Sequence, residues 1–145
     1  MTQRRRVLSV FAILLPIAVA GCGGKDGLPS VRGTVTYNGK PLPNALVAFA
    51  PEAPGSFPAS GLTDSNGRYE LTTRVPGDGA SLGKYRVAVT ARGPEKERPP
   101  GAPGLTAGTT DPGDPLIPTK YFAFDTSGLT AEVKPGDNTA DFDLK

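Results

Sequence analysis

From Val31 onward the chain alternates apolar and polar positions in short runs, each closed by turn residues. Val31, Val35 and Tyr37 share one face of the first run, with Arg32, Thr34 and Thr36 on the other. Ala45, Val47 and Phe49 mark a second run ended by Pro51, and Ser60 to Thr63 gives a brief third. Tyr69 and Leu71 face inward on a fourth, and Tyr85, Val87 and Val89 alternate with Lys84, Arg86 and Thr90 on the fifth. Leu129, Ala131 and Val133 alternate with Thr130, Glu132 and Lys134 on the sixth, and Ala140, Phe142 and Leu144 define the seventh. A period of two is the pattern of a half-buried strand. No window beyond the first 22 residues carries a 3.6-residue stripe. Seven short strands at this spacing predict an all-β, two-sheet sandwich.

The punctuation between runs has its own chemistry. Asn38-Gly39 supplies the positive φ angles of a tight hairpin. Asp64-Ser65-Asn66-Gly67 reads as a turn in which Asp64 accepts backbone N–H bonds and Gly67 takes a positive φ. It also looks like a fragment of a calcium loop, but it lacks the third alternating acid and the downstream bidentate Glu. Pro135-Gly136-Asp137-Asn138 turns the chain between the last two runs. Residues 93–118 hold seven Pro and five Gly, with Glu95-Lys96-Glu97-Arg98 near the start. Such a stretch is expected to join no ladder and to form a long mobile loop.

Composition sharpens this picture. Gly (19) and Pro (16) make up 35 of 145 residues, which disfavours long helices. The chain has no His and one Cys. A Ser-His-Asp triad, a Cys-His dyad, a His/Cys zinc site or an internal disulfide therefore cannot be assembled. No cofactor is implied.

The start of the chain carries a different signal. Arg4, Arg5 and Arg6 precede an apolar run from Val7 to Ala20, too short to span a bilayer, which needs about 20 apolar residues. A basic segment, a short apolar stretch and small residues form the pattern of a secretory signal peptide over 1–21. Val19-Ala20-Gly21-Cys22 resembles the lipobox of bacterial lipoproteins. That resemblance implies cleavage before Cys22, diacylation of its sulfur with palmitate-type chains, and acylation of its new amine. Two or more acyl chains anchor stably where one does not. Residues 22–30 would then be the lipidated cysteine and a Gly-rich tether, and 31–145 the exported domain. Removal of the three leader arginines leaves 13 Lys+Arg against 14 Asp+Glu. No basic stripe with interleaved aromatics remains, so nucleic acid is excluded as a partner.

Val31-Arg32-Gly33-Thr34-Val35, Asn38-Gly39-Lys40-Pro41-Leu42 and Ala45-Leu46-Val47-Ala48-Phe49 resemble the opening of the carboxypeptidase regulatory-like domain. Thr63-Asp64-Ser65-Asn66-Gly67-Arg68-Tyr69 and Gly83-Lys84-Tyr85-Arg86-Val87-Ala88-Val89 are similar to that family's next two signatures. Ile117-Pro118-Thr119-Lys120-Tyr121 and Thr126-Ser127-Gly128-Leu129-Thr130 are similar to small bacterial lipoproteins carrying this domain alone. The resemblance implies a seven-stranded antiparallel transthyretin-like (prealbumin-like) β-sandwich. It implies no peptidase activity, since the catalytic domain of metallocarboxypeptidases is a separate unit.

Candidate chemistry is sparse. Asp141 and Asp143 share a strand's solvent face, and with Asp137 they are expected to solvate and protect an edge rather than hold a metal. Transthyretin-like 5-hydroxyisourate hydrolases use histidines and a Tyr-Arg-Gly-Ser end, whereas this chain ends Asp141-Phe142-Asp143-Leu144-Lys145. A Lys–Asn isopeptide, as in related adhesin domains, needs a first-strand lysine where this chain has Arg32, Thr34 and Thr36; Asn138 would be the acceptor. Phe57, Tyr121, Phe122 and Phe124 are the aromatic candidates for a sugar platform, of which Tyr121, Phe122 and Phe124 form the candidate binding surface. The competing expectation is that Tyr121 and one Phe close the open end of the sandwich. The expected protein is a non-catalytic structural or protein-binding module, lipid-anchored through Cys22 in the bacterial envelope, with an envelope protein or glycan as partner. The alternative is a carbohydrate-binding module.

Overall fold

The computed structural model describes residues 27–97 and 110–145. The leader, Cys22 and the start of the tether lie outside the described residues, as does the middle of the Pro/Gly-rich segment. Each of the seven patterned runs forms a strand: β1 (Val31–Tyr37), β3 (Leu46–Pro51), β4 (Ala59–Leu62), β5 (Arg68–Glu70), β6 (Gly83–Thr90), β9 (Leu129–Val133) and β11 (Phe142–Leu144). Four two-residue strands join them among the described residues: β2 (Lys40–Pro41), β7 (Lys96–Glu97), β8 (Thr110–Asp111) and β10 (Asn138–Thr139). A 3-10 turn (Thr119–Phe122) and a single helical turn, α1 (Phe124–Ser127), precede β9.

The strands form two facing sheets. One is antiparallel throughout, in the order β4-β3-β6-β9. The other is built around β1, and it is not antiparallel as expected. Odd residues of β1 bond toward β5 and β2: Leu71 N–H donates to Val31 O, Val35 N–H to Gly67 O and Leu42 N–H to Val35 O. Even residues, from Ser30 just before β1 onward, bond to the C-terminal segment: Asn138 N–H donates to Ser30 O and Ala140 N–H to Arg32 O. That segment runs parallel to β1, with Val31 opposite Asn138 and Val35 opposite Phe142. The cause is the turn at 134–137, which carries the chain from β9 across to the other sheet instead of folding it back as a hairpin. With one side of β1 filled by β5 and β2, the arriving strand takes the vacant side in the parallel sense.

Along one flank the sheets are stitched together, where Ser60 and Thr72 exchange backbone bonds of 2.9 and 2.8 Å. The core between them holds Val31, Val35, Val47, Val87, Val89, Leu71 and Leu144, all buried. Phe49 sits at its centre, with ring centroids 5.6 Å from Tyr85, 6.2 Å from Phe142 and 6.5 Å from Tyr69. Rings from both sheets thus meet at tilted or edge-on angles, the favoured aromatic geometry.

The Pro/Gly-rich segment also departs from expectation. Its described ends pair, Lys96 with Asp111 and Glu97 with Thr110, after a bridge between Arg92 and Pro115. The prolines do not prevent this, because the bonds leading into it use the N–H groups of Gly93 (to Asp114 O, 2.9 Å) and Leu116 (to Ala91 O, 3.0 Å). A Cβ on Gly113 would lie 2.0 Å from Gly93 O, so the two arms approach backbone to backbone.

Candidate functional site

Two surfaces leave grooves or strand edge open among the described residues. The first is the end of the sandwich where the chain enters. β3 ends beside the start of β6, β6 starts opposite the end of β9, and β10 lies against the start of β1. The connections 27–30, 52–58, 71–82 and 134–137 therefore converge there.

Asp78 shapes the longest of them. Its buried carboxylate accepts N–H bonds from Thr73 (2.6 Å), Arg74 (2.9 Å) and Val75 (3.0 Å). Burial alone would raise its pKa, but these donors favour the charged form and hold it below the ordinary carboxylate value. Gly79 packs so closely that a Cβ would lie 2.0 Å from Pro29 O. Ala80 N–H then donates to Pro29 O at 3.1 Å, which fixes the entering chain to this loop.

The loop presents Arg74, whose guanidinium carbon lies 4.3 Å from the centroid of the Phe57 ring. An open groove of about 270 Å³ runs past Phe57, Arg74 and Leu28. A second, of about 480 Å³, lies between Leu28, Leu82 and Pro135. Leu28 lines both.

The second surface is the unstitched flank. β9 pairs with β6 and with no other described strand. Its outer edge faces β10 and β11 across a gap of about 230 Å³ lined by the apolar Phe49, Ala131 and Phe142 and by the polar Thr130, Asn138 and Asp141. Glu132 lines it too, and lies 3.6 Å from Lys134. A short edge carrying charged side chains resists indiscriminate pairing while its backbone stays addressable.

The residues nominated from sequence fall elsewhere or into structural roles. Cys22 lies outside the described residues. Tyr121 is 6% exposed, and its hydroxyl donates to Lys145 O (2.9 Å) and accepts from Lys145 N–H (3.0 Å). It closes the far end of the sandwich, which is the competing expectation for Tyr121, and presents no open ring face. Phe122 is half-buried beneath Arg92, 4.9 Å from its centroid, and Phe124 is half-buried on α1. The three do not form an open aromatic face.

Asp64 makes the expected turn, accepting N–H bonds from Asn66 (2.8 Å) and Arg68 (2.9 Å), and Gly67 has φ +73°. Asn138 spends its side chain on the 134–137 turn, donating to Lys134 O (2.8 Å) and Gly136 O (2.9 Å). Asp141 and Asp143 accept from Thr34 and Thr36 of β1. Among the described residues no three His, Cys, Asp or Glu side chains converge as a metal site.

Sequence reasoning missed Asp78, Thr63 and the Gly33–Ala140 contact. Thr63 is buried, with its hydroxyl accepting from Ala45 N–H (2.8 Å) and donating to Leu42 O (2.7 Å). Asp78 had a local signal, an acid between two glycines just after Pro76.

The remaining displaced titrations are also structural. Burial, and then the Asp141 charge, push the Tyr69 phenol well above its ordinary value. Burial raises Tyr85, whose hydroxyl donates to Ser81 O at 2.9 Å. The Lys145 N–H lowers Tyr121, outweighing burial. Each hydroxyl is committed to a backbone partner.

No family model and no curated protein matches the chain. Among solved structures it is similar to a DUF3823 family protein from Parabacteroides merdae, at 15% identity and a TM-score of 0.40. The similarity covers 81% of this chain and 45% of that protein.

Proposed function

We propose that this chain is a non-catalytic, lipid-anchored module of the bacterial cell envelope. In this reading Cys22 carries the lipid, and the body is a carboxypeptidase regulatory-like, transthyretin-like sandwich that binds a protein partner along its unstitched flank. The observation that carries partner binding is β9, an edge strand beside a gap lined by apolar (Phe49, Ala131, Phe142) and polar (Thr130, Glu132, Asp141) side chains alike. An extended peptide added there bonds to the β9 backbone and lays alternate side chains over Ala131 and Phe142. The non-catalytic part is supported by the fate of the displaced groups, since Asp78, Tyr69, Tyr85 and Tyr121 are each held by backbone atoms.

The test uses the full chain expressed in a bacterial envelope. A photo-crosslinking residue at Glu132 is expected to trap one defined envelope protein, and the same residue at Lys40 is expected to trap none. Equal trapping at both positions overturns the assignment of the flank. A wild-type chain that carries no lipid by mass overturns the anchor.

A further inference from the structure

We propose that the entry end of the sandwich rests on the bilayer, with Phe57, Val75 and Leu82 inserted at the lipid interface. This deepens the anchor reading and rests on it.

The first support is chain length. Cys22 and Gly27 are separated by Gly23-Gly24-Lys25-Asp26. Five residue steps at full extension span about 18 Å. The eight-residue β6 alone runs about 25 Å at the usual strand rise. Gly27 can therefore leave the headgroups by no more than about 18 Å, whereas the far end has no such tie.

The second support is what that end displays. Phe57 is 49% exposed, Val75 40% and Leu82 53%, and each comes from a connection at this end. Half-buried Leu28 joins them through the two grooves. The Arg74 guanidinium over the Phe57 ring places a cation beside an apolar anchor, an arrangement suited to the phosphate level of a membrane. The exposed ionic groups of these connections, Arg74 and Lys134 against Glu52 and Asp137, cancel, and the buried ionised Asp78 adds one negative charge, so apolar contact and not charge attraction decides the orientation. The Asp78 bonds make the 73–75 loop a fixed protrusion, so insertion requires no new ordering of it.

The chain lacks Trp, so one introduced indole reports alone. Lipidated Phe57→Trp, Leu82→Trp and Leu116→Trp chains would be placed in phosphatidylethanolamine/phosphatidylglycerol vesicles with brominated acyl chains. Leu116 is 51% exposed at the opposite end and serves as the reference. Blue-shifted emission and loss of most intensity at positions 57 and 82, with emission at 116 unchanged, is the expected result. If lipid is present and the chain stays on the vesicles, yet 57 and 82 are quenched no more than 116, the orientation is wrong and the anchor stands. A chain without lipid that leaves the vesicles overturns both. A blue shift at 57 without vesicles, with dimers in sedimentation, would assign the patch to a second copy and overturn the bilayer contact.

Discussion

The Asp141 carboxylate stands in for a backbone carbonyl opposite Thr34. Its Oδ1 lies 2.7 Å from Thr34 N and 2.6 Å from Thr34 Oγ1, so one oxygen accepts both groups. The substitution is needed because the Ala140 carbonyl, next in line, turns away and accepts the Tyr69 hydroxyl at 2.6 Å. Room for that carbonyl exists because residue 33 is glycine. The short gap between β10 and β11 is therefore a single device made by Gly33, Thr34, Tyr69, Ala140 and Asp141, and it holds the C-terminal segment to β1.

Removing the acceptor should loosen that segment. Asp141→Ala is expected to cost about 1 kcal/mol, since the site is exposed and water replaces part of the bond. Asp141→Asn, which keeps a carbonyl oxygen, should cost less. Urea unfolding checks this: the midpoint falls while the slope stays constant.

Gly33→Ala tests the same device sterically. The added Cβ would lie 1.8 Å from Ala140 O, a backbone atom that cannot give way without lifting β10 and β11. A loss of about 2–3 kcal/mol is expected, at the upper part of the range for overpacked sites. Hydrogen exchange should show the loss of protection concentrated at Ala140 and Asn138, whose N–H groups bond to Arg32 O in β1 and to Ser30 O just before it.

What the sequence disclosed and what it hid divide along sequence separation. Asn38 and Gly39 have φ of 51° and 74°, and Asp64 caps its own turn, because such geometry is decided by a few neighbouring residues. The inward faces of the strands were legible for the same reason, since burial follows a period of two. Thr34 and Asp141 lie 107 positions apart, and nothing in either local window announces the other. The parallel sense of the last strand was hidden too, because a Pro-Gly turn gives no sign whether the chain returns to its own sheet or crosses. At the candidate surface, the sequence offered Tyr121 both as an open platform and as a cap over the sandwich, and only its bonds to Lys145 decide for the cap. Phe57 and Leu82 gained meaning when the fold brought their loops together.

Asp78 gives an acid-side prediction. Its folded pKa is lowered, so the stability it contributes is complete above the ordinary carboxylate value, about 3.9, and is lost as pH falls through the lower folded value. Asp78→Ala removes the buried acceptor of three N–H groups and is expected to cost about 3 kcal/mol at neutral pH. Thermal melts at decreasing pH should show the wild type converging on the Asp78→Asn variant as the carboxyl protonates.

The tyrosines give the opposite dependence at high pH. Tyr69 and Tyr85 are raised above the ordinary phenol value of 10.0, so the folded state keeps its protons where the unfolded chain releases them. Their contribution is intact below that value and is lost as pH climbs above it. Tyr121 is lowered, because Lys145 N–H donates to its oxygen, and it works the other way, adding stability as it ionises and keeping it above 10.0. Tyr69 is displaced furthest of the three and upward, so stability should decline above about pH 10. The Tyr69→Phe/Tyr85→Phe double variant is expected to start less stable, because Ala140 O loses its hydroxyl donor. It should then lose the downward slope, and the Tyr121→Phe variant should steepen it. Urea melts across the alkaline range in the three proteins measure those slopes directly. An unchanged slope in the double variant would show that the decline comes from elsewhere in the chain.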